Sequence, residues 1–150
     1  MSVDFVHLDL RSALDFAIGI EEEAQLRYQE FATLAGDGDV ARFFAEMLGS
    51  ETQHRRQLES RRTRLFGSAG PRFDSSLVGH SEGVDPGEVS TPRSVREAVE
   101  LALQAETRAV EFYTATLPHL RDADVRALFE DLQAEEAEHQ SALRRMLESF

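Results

Sequence analysis

The two stretches that decide the fold are residues 40–58, VARFFAEMLGSETQHRRQL, and residues 125–143, VRALFEDLQAEEAEHQSAL. In both, apolar residues recur at alternating spacings of three and four, which is the pattern of an amphipathic helix. Both also carry a Glu-x-x-His motif in the middle of that apolar stripe. The two motifs are Glu51–His54 and Glu136–His139. Each stretch is therefore predicted to be a helix that buries a polar pair.

The similarity of these stretches belongs to a longer internal repeat with a constant offset of 85 positions. Between residues 17 and 58, 11 of the 42 positions are identical to their counterparts, with no gap. The matched pairs include Ala17/Ala102, Glu21/Glu106, Ala24/Ala109, Tyr28/Tyr113, Asp37/Asp122 and Leu58/Leu143. A duplicated helical hairpin explains this regularity better than chance does, and it predicts a bundle with pseudo-twofold symmetry.

Four helices are predicted, in two antiparallel hairpins at about residues 9–65 and 91–149. Between them, residues 66–90 are rich in Gly, Ser and Pro and are interpreted as a crossover loop. The expected boundary residues are Gly36 after the first helix, Asp37 or Asp39 before the second, Thr91-Pro92 before the third, and Asp122 or Asp124 before the fourth.

The crossover is long enough to run the length of the bundle, because a 25-residue helix is about 38 Å long and an extended chain spans about 3.3 Å per residue. The second and third helices would then be parallel. An all-α four-helix bundle with one such crossover is a ferritin-like fold, and residues 1–150 are expected to form a single domain.

Six polar residues fall on the apolar stripes at mid-height of the four predicted helices. Burial of an unpaired carboxylate costs several kcal/mol, and a whole domain is stable by only about 5–15 kcal/mol. The chain contains no Lys, and no Arg falls on the stripes. Two divalent cations would balance four carboxylates, with two His as neutral ligands. The predicted metal ligands are Glu21, Glu51, His54, Glu106, Glu136 and His139.

The ligand set itself narrows the choice of metal. Carboxylate oxygens mixed with imidazole nitrogens suit iron or manganese and do not exclude zinc. Tyr28 and Tyr113 lie seven residues after Glu21 and Glu106, on the same helix face. Each hydroxyl is expected either to hydrogen-bond a ligand carboxylate or to belong to an ordinary core tyrosine.

With these motifs, Glu21-x6-Tyr28, Glu51-x2-His54, Glu106-x6-Tyr113 and Glu136-x2-His139, the chain resembles the ferritin-like di-iron proteins. It resembles the rubrerythrin branch most closely. The resemblance covers both hairpins but not the crossover. It implies two iron ions held by the six residues above, with Glu51 and Glu136 bridging and Glu21 and Glu106 terminal. It also implies reduction of O2 or H2O2, iron oxidation or iron storage, and a homodimer.

Two departures from rubrerythrins stand out in the sequence. Rubrerythrins carry a four-Cys, rubredoxin-like iron site, whereas this sequence has no Cys, so an external electron donor is expected. Rubrerythrins also have a further Glu three residues after the ligand on the third helix, where this chain has Ala109. The remaining six ligands resemble a bacterioferritin-type ferroxidase centre.

Composition excludes several other classes of function. The formal charge of −12 argues against binding to nucleic acid or an anionic membrane. The absence of Cys excludes thiolate metal sites and cysteine nucleophiles. The acidic start of the chain does not resemble a signal peptide, so a soluble, cytoplasmic protein is expected. His7, His80 and His119 lack a Glu at ligand spacing and are interpreted as surface or loop residues.

The leading hypothesis is therefore a dinuclear iron oxidoreductase of the ferroxidase or peroxidase type. The alternatives are an iron storage or binding subunit, a structural bundle with zinc or a degenerate site, and an oxygenase acting on an organic substrate. A basic run near the end of the second helix is interpreted as a solvated helix end or as a docking patch for an acidic redox partner. Its members are Arg55, Arg56, Arg61, Arg62 and Arg64.

Overall fold

The structure, a computed structural model, describes residues 8–67 and 92–150. These residues form four α-helices and one short 3-10 helix, Leu117–His119, between the third and the fourth. The α-helices are α1 Leu10–Ala35, α2 Asp39–Phe66, α3 Val95–Thr116 and α4 Ala123–Glu148. The prediction of an all-α four-helix bundle is confirmed. The predicted crossover lies almost entirely outside the described residues.

The helices pair as the repeat predicts, α1 with α2 and α3 with α4, and the hairpins meet through contacts of α1 with α3 and of α2 with α4. One apolar cluster joins the start of α1 to the ends of α2 and α3 and the start of α4, as shown by Leu14, Leu58, Phe112 and Phe129. The opposite helix ends meet in a second cluster. Thus α2 and α3 run parallel, as in ferritin-like bundles.

The turn between α1 and α2 depends on two glycines. Gly36 ends α1 with φ 73° and donates its backbone N–H to Ala32 and Thr33. Gly38 precedes α2 with φ 103°. Both conformations favour glycine, since a Cβ makes positive φ costly. The prediction of Gly36 as the end of α1 is confirmed, whereas Asp37 and Asp39 do not cap α2: Gly38 occupies that position, and Asp39 is the first helical residue.

Of the predicted starts of the other two helices, that of α4 is confirmed and that of α3 is wrong. Asp122 caps α4 by accepting from the backbone N–H of Val125, as predicted. The third helix begins later than predicted. Its N-cap is Ser94, whose hydroxyl accepts from the N–H of Glu97. Ser-x-x-Glu is a capping-box sequence, so this local signal outweighs the Pro at residue 92. Thr91 itself lies outside the described residues.

The core has an apolar layer at each end and a polar layer between them. The end layers contain large buried side chains, such as the stacked rings of Phe16 and Phe112, with centroids 4.6 Å apart. A buried ion pair between Asp15 and Arg62 extends the interface of α1 with α2, and the sequence analysis had missed it. Phe150 lies four residues after Met146 and would continue the apolar stripe of α4, but it is 50% exposed because α4 ends at Glu148.

Among the described residues, none of the helices has the combination of length and apolar character that crossing a membrane requires.

Candidate metal centre

The polar layer at mid-height contains all six predicted ligands. Each of the four helices supplies one carboxylate. The helices α2 and α4 also supply a histidine, which lies on the same helix face as the glutamate three positions before it. Glu21, Glu51, Glu106 and Glu136 are at most 2% exposed, and so is His54. The side chain of His139 is 15% exposed. The structure therefore brings the six side chains together inside the bundle.

The six side chains form two overlapping groups, each with ligand atoms within 4.8 Å of one another. The first group is Glu21, Glu51, His54 and Glu136, and the second is Glu51, Glu106, Glu136 and His139. Glu51 and Glu136 belong to both. Each residue of one group has its counterpart, 85 positions away, in the other group. The pseudo-twofold axis predicted from the repeat therefore passes through this centre.

The distances within the centre follow the same symmetry. His54 Nδ1 lies 3.0 Å from Glu136 Oε1, and His139 Nδ1 lies 3.0 Å from Glu51 Oε1. His54 Nδ1 is 3.6 Å from Glu21 Oε2, while its counterpart in the other half, His139 Nδ1, is 3.7 Å from Glu106 Oε1. The two imidazole rings are nearly parallel, with an interplanar angle of 20° and centroids 6.2 Å apart.

The atoms that face one another across this layer are not paired by hydrogen bonds. Seven of them are buried without a hydrogen-bond partner in the described structure. Donor atoms about 2.1 Å from a common ion lie at most about 4.2 Å from one another, and the histidine–carboxylate distances of 3.0, 3.6 and 3.7 Å lie within that limit. The atoms are Glu21 Oε2, both oxygens of Glu51, Glu106 Oε2, Glu136 Oε1 and the Nδ1 atoms of His54 and His139. Buried polar atoms need partners, and divalent cations fit this donor set.

Comparison with known proteins identifies the family. The family model for rubrerythrin matches residues 12–147, which is most of the chain. The chain belongs to the rubrerythrin family. A comparison with curated protein sequences found no significant match.

Solved structures share the fold of this rubrerythrin-family protein. An uncharacterised conserved protein from Magnetospirillum magnetotacticum is 28% identical, with a TM-score of 0.76 and 95% of each chain covered. A ferritin-like, diiron-carboxylate protein from Bacillus anthracis is 23% identical, with a TM-score of 0.69 over 98% of this chain and 99% of its own. A hypothetical protein from Pyrococcus furiosus is 20% identical, with a TM-score of 0.73 and coverage of 94% and 89%.

In the metal-free rubrerythrin-family chain, burial raises the pKa of two of the four carboxyls. Burial is the main cause for Glu21, and the carboxylates of Glu136 and Glu51 add to it. Burial also raises the pKa of Glu106, again with Glu136 beside it. Both side chains therefore retain a proton at pH values where an exposed glutamate is ionised.

The pKa values of the two histidines are raised, whereas the pKa of Glu51 is lowered. Burial alone would lower the pKa of His54, but the carboxylates of Glu136 and Glu21 outweigh it and raise the pKa above its ordinary value. The carboxylates of Glu106 and Glu136 do the same for His139, whose pKa rises to about 12. Burial opposes ionisation of Glu51, yet Glu21 and the two histidines lower its pKa. Without metal ions, retained protons thus offset part of the negative charge that divalent cations would neutralise.

The two tyrosines reach across to buried carboxylates on the facing helix. Tyr28 on α1 donates to Glu106 Oε1 on α3 at 2.6 Å, and Tyr113 on α3 donates to Glu21 Oε1 on α1 at 2.9 Å. Both rings are fully buried, and burial raises the pKa of each hydroxyl, with the carboxylates nearby adding to the effect. The hydroxyls consequently stay protonated and hold one oxygen of each carboxylate in place.

Two further residues contact the outer faces of the histidines, and the sequence analysis had assigned them no role. His54 Nε2 contacts a carboxylate oxygen of Glu135. Ser50 Oγ lies 3.5 Å from His54 Nε2 and 3.4 Å from His139 Nε2. A signal was present in the sequence, since Ser50 and Glu135 are counterparts in the repeat and directly precede the two glutamates shared by both groups.

A surface cleft between α2 and α4 has one of the six candidate ligands, His54, in its lining. Its volume is about 230 Å³, which admits molecules of the size of O2, H2O2 or water. It is lined by Ser50, Gln53, His54 and Gln57 from α2 and by Asp131, Ala134 and Glu135 from α4.

The remaining candidates from the sequence lie away from the centre. His119 is exposed in the 3-10 helix, and His7 and His80 lie outside the described residues. The basic run on α2 is largely paired within the chain. Arg62 contacts Asp15, Arg61 and Arg64 contact Asp124, and Arg55 Nε is 3.6 Å from Glu59. This pairing favours a structural role for the run over a docking patch.

Proposed function

We propose that this protein is a dinuclear iron oxidoreductase that reduces O2 or H2O2. The single observation that carries the proposal is the pair of overlapping ligand groups sharing Glu51 and Glu136. Ions bound by these groups would lie side by side, so that one small substrate could reach both. Carboxylate-rich ligation with one histidine per position suits iron and allows manganese or zinc. The Bacillus anthracis neighbour, named a diiron-carboxylate protein, supports the choice of iron.

The ligands divide into shared and single-position residues. Glu51 and Glu136 would bridge the two ions. Glu21 and His54 would complete one position, and Glu106 with His139 would complete the other. Two iron ions held in this way would supply the two electrons that, with two protons, convert H2O2 to two molecules of water.

The surrounding side chains orient the ligands and limit what reaches them. Tyr28 and Tyr113 hold one oxygen of each terminal carboxylate, which leaves the other oxygen free to bind an ion. The apolar layers above and below exclude bulk water, which strengthens every electrostatic interaction in the centre. The cleft at His54 admits a small oxidant. Residue 109 is an alanine where rubrerythrins carry a further glutamate, so the resemblance to a six-ligand, bacterioferritin-type centre favours ferroxidase-type chemistry over peroxidase activity.

The test is metal loading followed by oxidant consumption. The chain should bind two ferrous ions anaerobically and oxidise both when O2 or H2O2 is added, with an ultraviolet band characteristic of an oxo-bridged diferric centre. Glu51→Ala should abolish binding of the second ion, whereas Glu23→Ala, an exposed residue on α1, should change nothing. Binding of fewer than two ions by the wild-type chain, or equal behaviour of the two variants, would refute the proposal.

The same preparation separates turnover from storage. With an external reductant, an oxidoreductase consumes many oxidant molecules per chain while its iron content stays at two ions. A storage subunit instead accumulates iron beyond two ions per chain and elutes as a large assembly in size-exclusion chromatography. A homodimer with repeated turnover is the result that the proposal predicts.

A further inference from the structure

Among the positions at which the two halves of the repeat differ, one pair contacts the histidines of the candidate metal centre. Glu135 on α4 and Ser50 on α2 are related by the 85-residue offset, and each precedes a glutamate shared by both ligand groups. One is an acid and the other a neutral hydroxyl. The six ligands themselves are identical in type between the halves, so any difference between the two ion positions must come from residues outside the ligand set.

These two residues contact different histidines most closely. His54 Nδ1 faces the carboxylates of the centre, and its Nε2 faces away and contacts the carboxylate of Glu135. His139 also turns Nδ1 inward, but its Nε2 has Ser50 Oγ at 3.4 Å. A metal-bound neutral imidazole that uses Nδ1 carries its proton on Nε2. That proton is therefore donated to an anion at His54 and only to a distant hydroxyl at His139.

From this asymmetry we infer that the two ion positions are inequivalent and that Glu135 is the positioning residue that makes the His54 position the tighter one. The inference rests on the two-ion centre proposed above. A carboxylate that accepts from the outer nitrogen fixes the tautomer and ring orientation and increases the basicity of the inner nitrogen, and loss of such a partner typically costs 10–100-fold in metal affinity. A first divalent ion should thus occupy the position formed by His54 and Glu21.

Solvent exposure could produce a difference in the same direction, and the experiment must separate the two causes. The side chain of His139 is 15% exposed, against 3% for His54. Glu135→Gln removes the anionic acceptor from His54 but keeps a side chain of the same size beside it, so this variant separates the two causes. Glu135 is itself 51% exposed, so its replacement should not disturb folding, and a thermal melt of the metal-free protein verifies this.

The experiment is a calorimetric titration with Zn2+, which is redox-inert and suits these ligands, combined with anomalous diffraction at one equivalent of Zn2+. The wild-type chain should show two binding steps whose dissociation constants differ by about 10–100-fold, and the first ion should lie at His54. Glu135→Ser, which makes the two halves alike, should weaken the first step until the constants agree within a few-fold. Ser50→Glu should instead tighten the second step.

Glu138→Ser is the matched control, since Glu138 is an exposed acid on the same helix, and its constants should match those of the wild type. Two equal constants in the wild-type chain would overturn the inference while leaving the two-ion centre intact. Equal effects of Glu135→Ser and Glu138→Ser would overturn it as well. Binding of fewer than two Zn2+ ions by the wild-type chain would overturn the two-ion centre, and the inference with it.

Discussion

Raising the pH from 6 to 7 should destabilise the metal-free protein, because its buried centre holds protons that the unfolded chain has already lost. The pKa values of Glu21 and Glu106 are raised well above the ordinary 4.5 in the folded state. Between the unfolded and folded pKa values, the folded chain binds one more proton per group, so its free energy of unfolding falls as pH rises. This stabilisation is fully present below about pH 4.5 and is lost as pH rises through the folded values.

The expected size follows from proton linkage. Each extra proton in the folded state changes the free energy of unfolding by about 1.4 kcal/mol per pH unit, so two glutamates that keep their protons over this range give at most about 3 kcal/mol between pH 6 and 7. A domain of this length changes its melting temperature by roughly 2–4 °C per kcal/mol, which sets an upper limit of roughly 6–12 °C on the fall. His54 and His139, whose pKa values are also raised, add to the fall above about pH 6.5.

The assay is thermal unfolding, followed by calorimetry, of the chelator-treated protein and of the protein saturated with Zn2+. Bound ions hold the same groups without their protons, so the fall with pH should disappear in the loaded protein. The stabilisation by metal, measured as the difference between the two melting temperatures, should consequently increase from pH 6 to 7.

A double variant, Glu21→Gln with Glu106→Gln, serves as the control for the source of the effect. Glutamine has the shape and neutrality of a protonated glutamate, so the fall between pH 6 and 7 should be much smaller in the metal-free variant. Glu23→Gln, on the exposed face of α1, should behave like the wild type. A metal-free wild-type chain that is equally or more stable at pH 7 than at pH 6 would refute this reasoning.

Four further substitutions test other parts of the structure. Tyr28→Phe and Tyr113→Phe each leave a buried ligand carboxylate without its hydroxyl donor and should cost about 1–3 kcal/mol in urea unfolding of the loaded protein; no loss would contradict the hydrogen bonds described. Asp15→Ala leaves Arg62 buried and unpaired and should cost about 3–5 kcal/mol without changing the number of ions bound. Ala134→Trp fills the cleft and should slow iron oxidation by H2O2 in stopped-flow experiments at unchanged metal content; an unchanged rate would place the entrance elsewhere.

Much of the fold and the grouping of the six polar residues could be predicted from sequence because both depend on local periodicity. Glu51 and His54 share a helix face whatever surrounds the helix, and the repeat places Glu136 and His139 equivalently. The heights of Glu21 and Glu106 follow from their positions on the apolar stripes. Their roles as metal ligands remain predictions, as do the single domain over residues 1–150, the homodimer and the cytoplasmic location.

Contacts that depend on the register between helices could not be predicted in this way. Asp15 and Arg62 meet because the start of α1 lies beside the end of α2, and neither residue stands out within its own helix. The contact of Glu135 with His54 depends likewise on how α4 packs against α2. The start of α3 was misplaced for a different reason, since Thr91-Pro92 and Ser94 are competing start signals three positions apart.

The most direct measurement is anomalous diffraction at the iron edge from crystals loaded anaerobically with ferrous iron. Two peaks should appear in the layer between the apolar ends of the bundle, one beside His54 and one beside His139, with Glu51 and Glu136 contacting both. Ions confined to the surface, or a single peak at saturating iron, would contradict the two-ion centre.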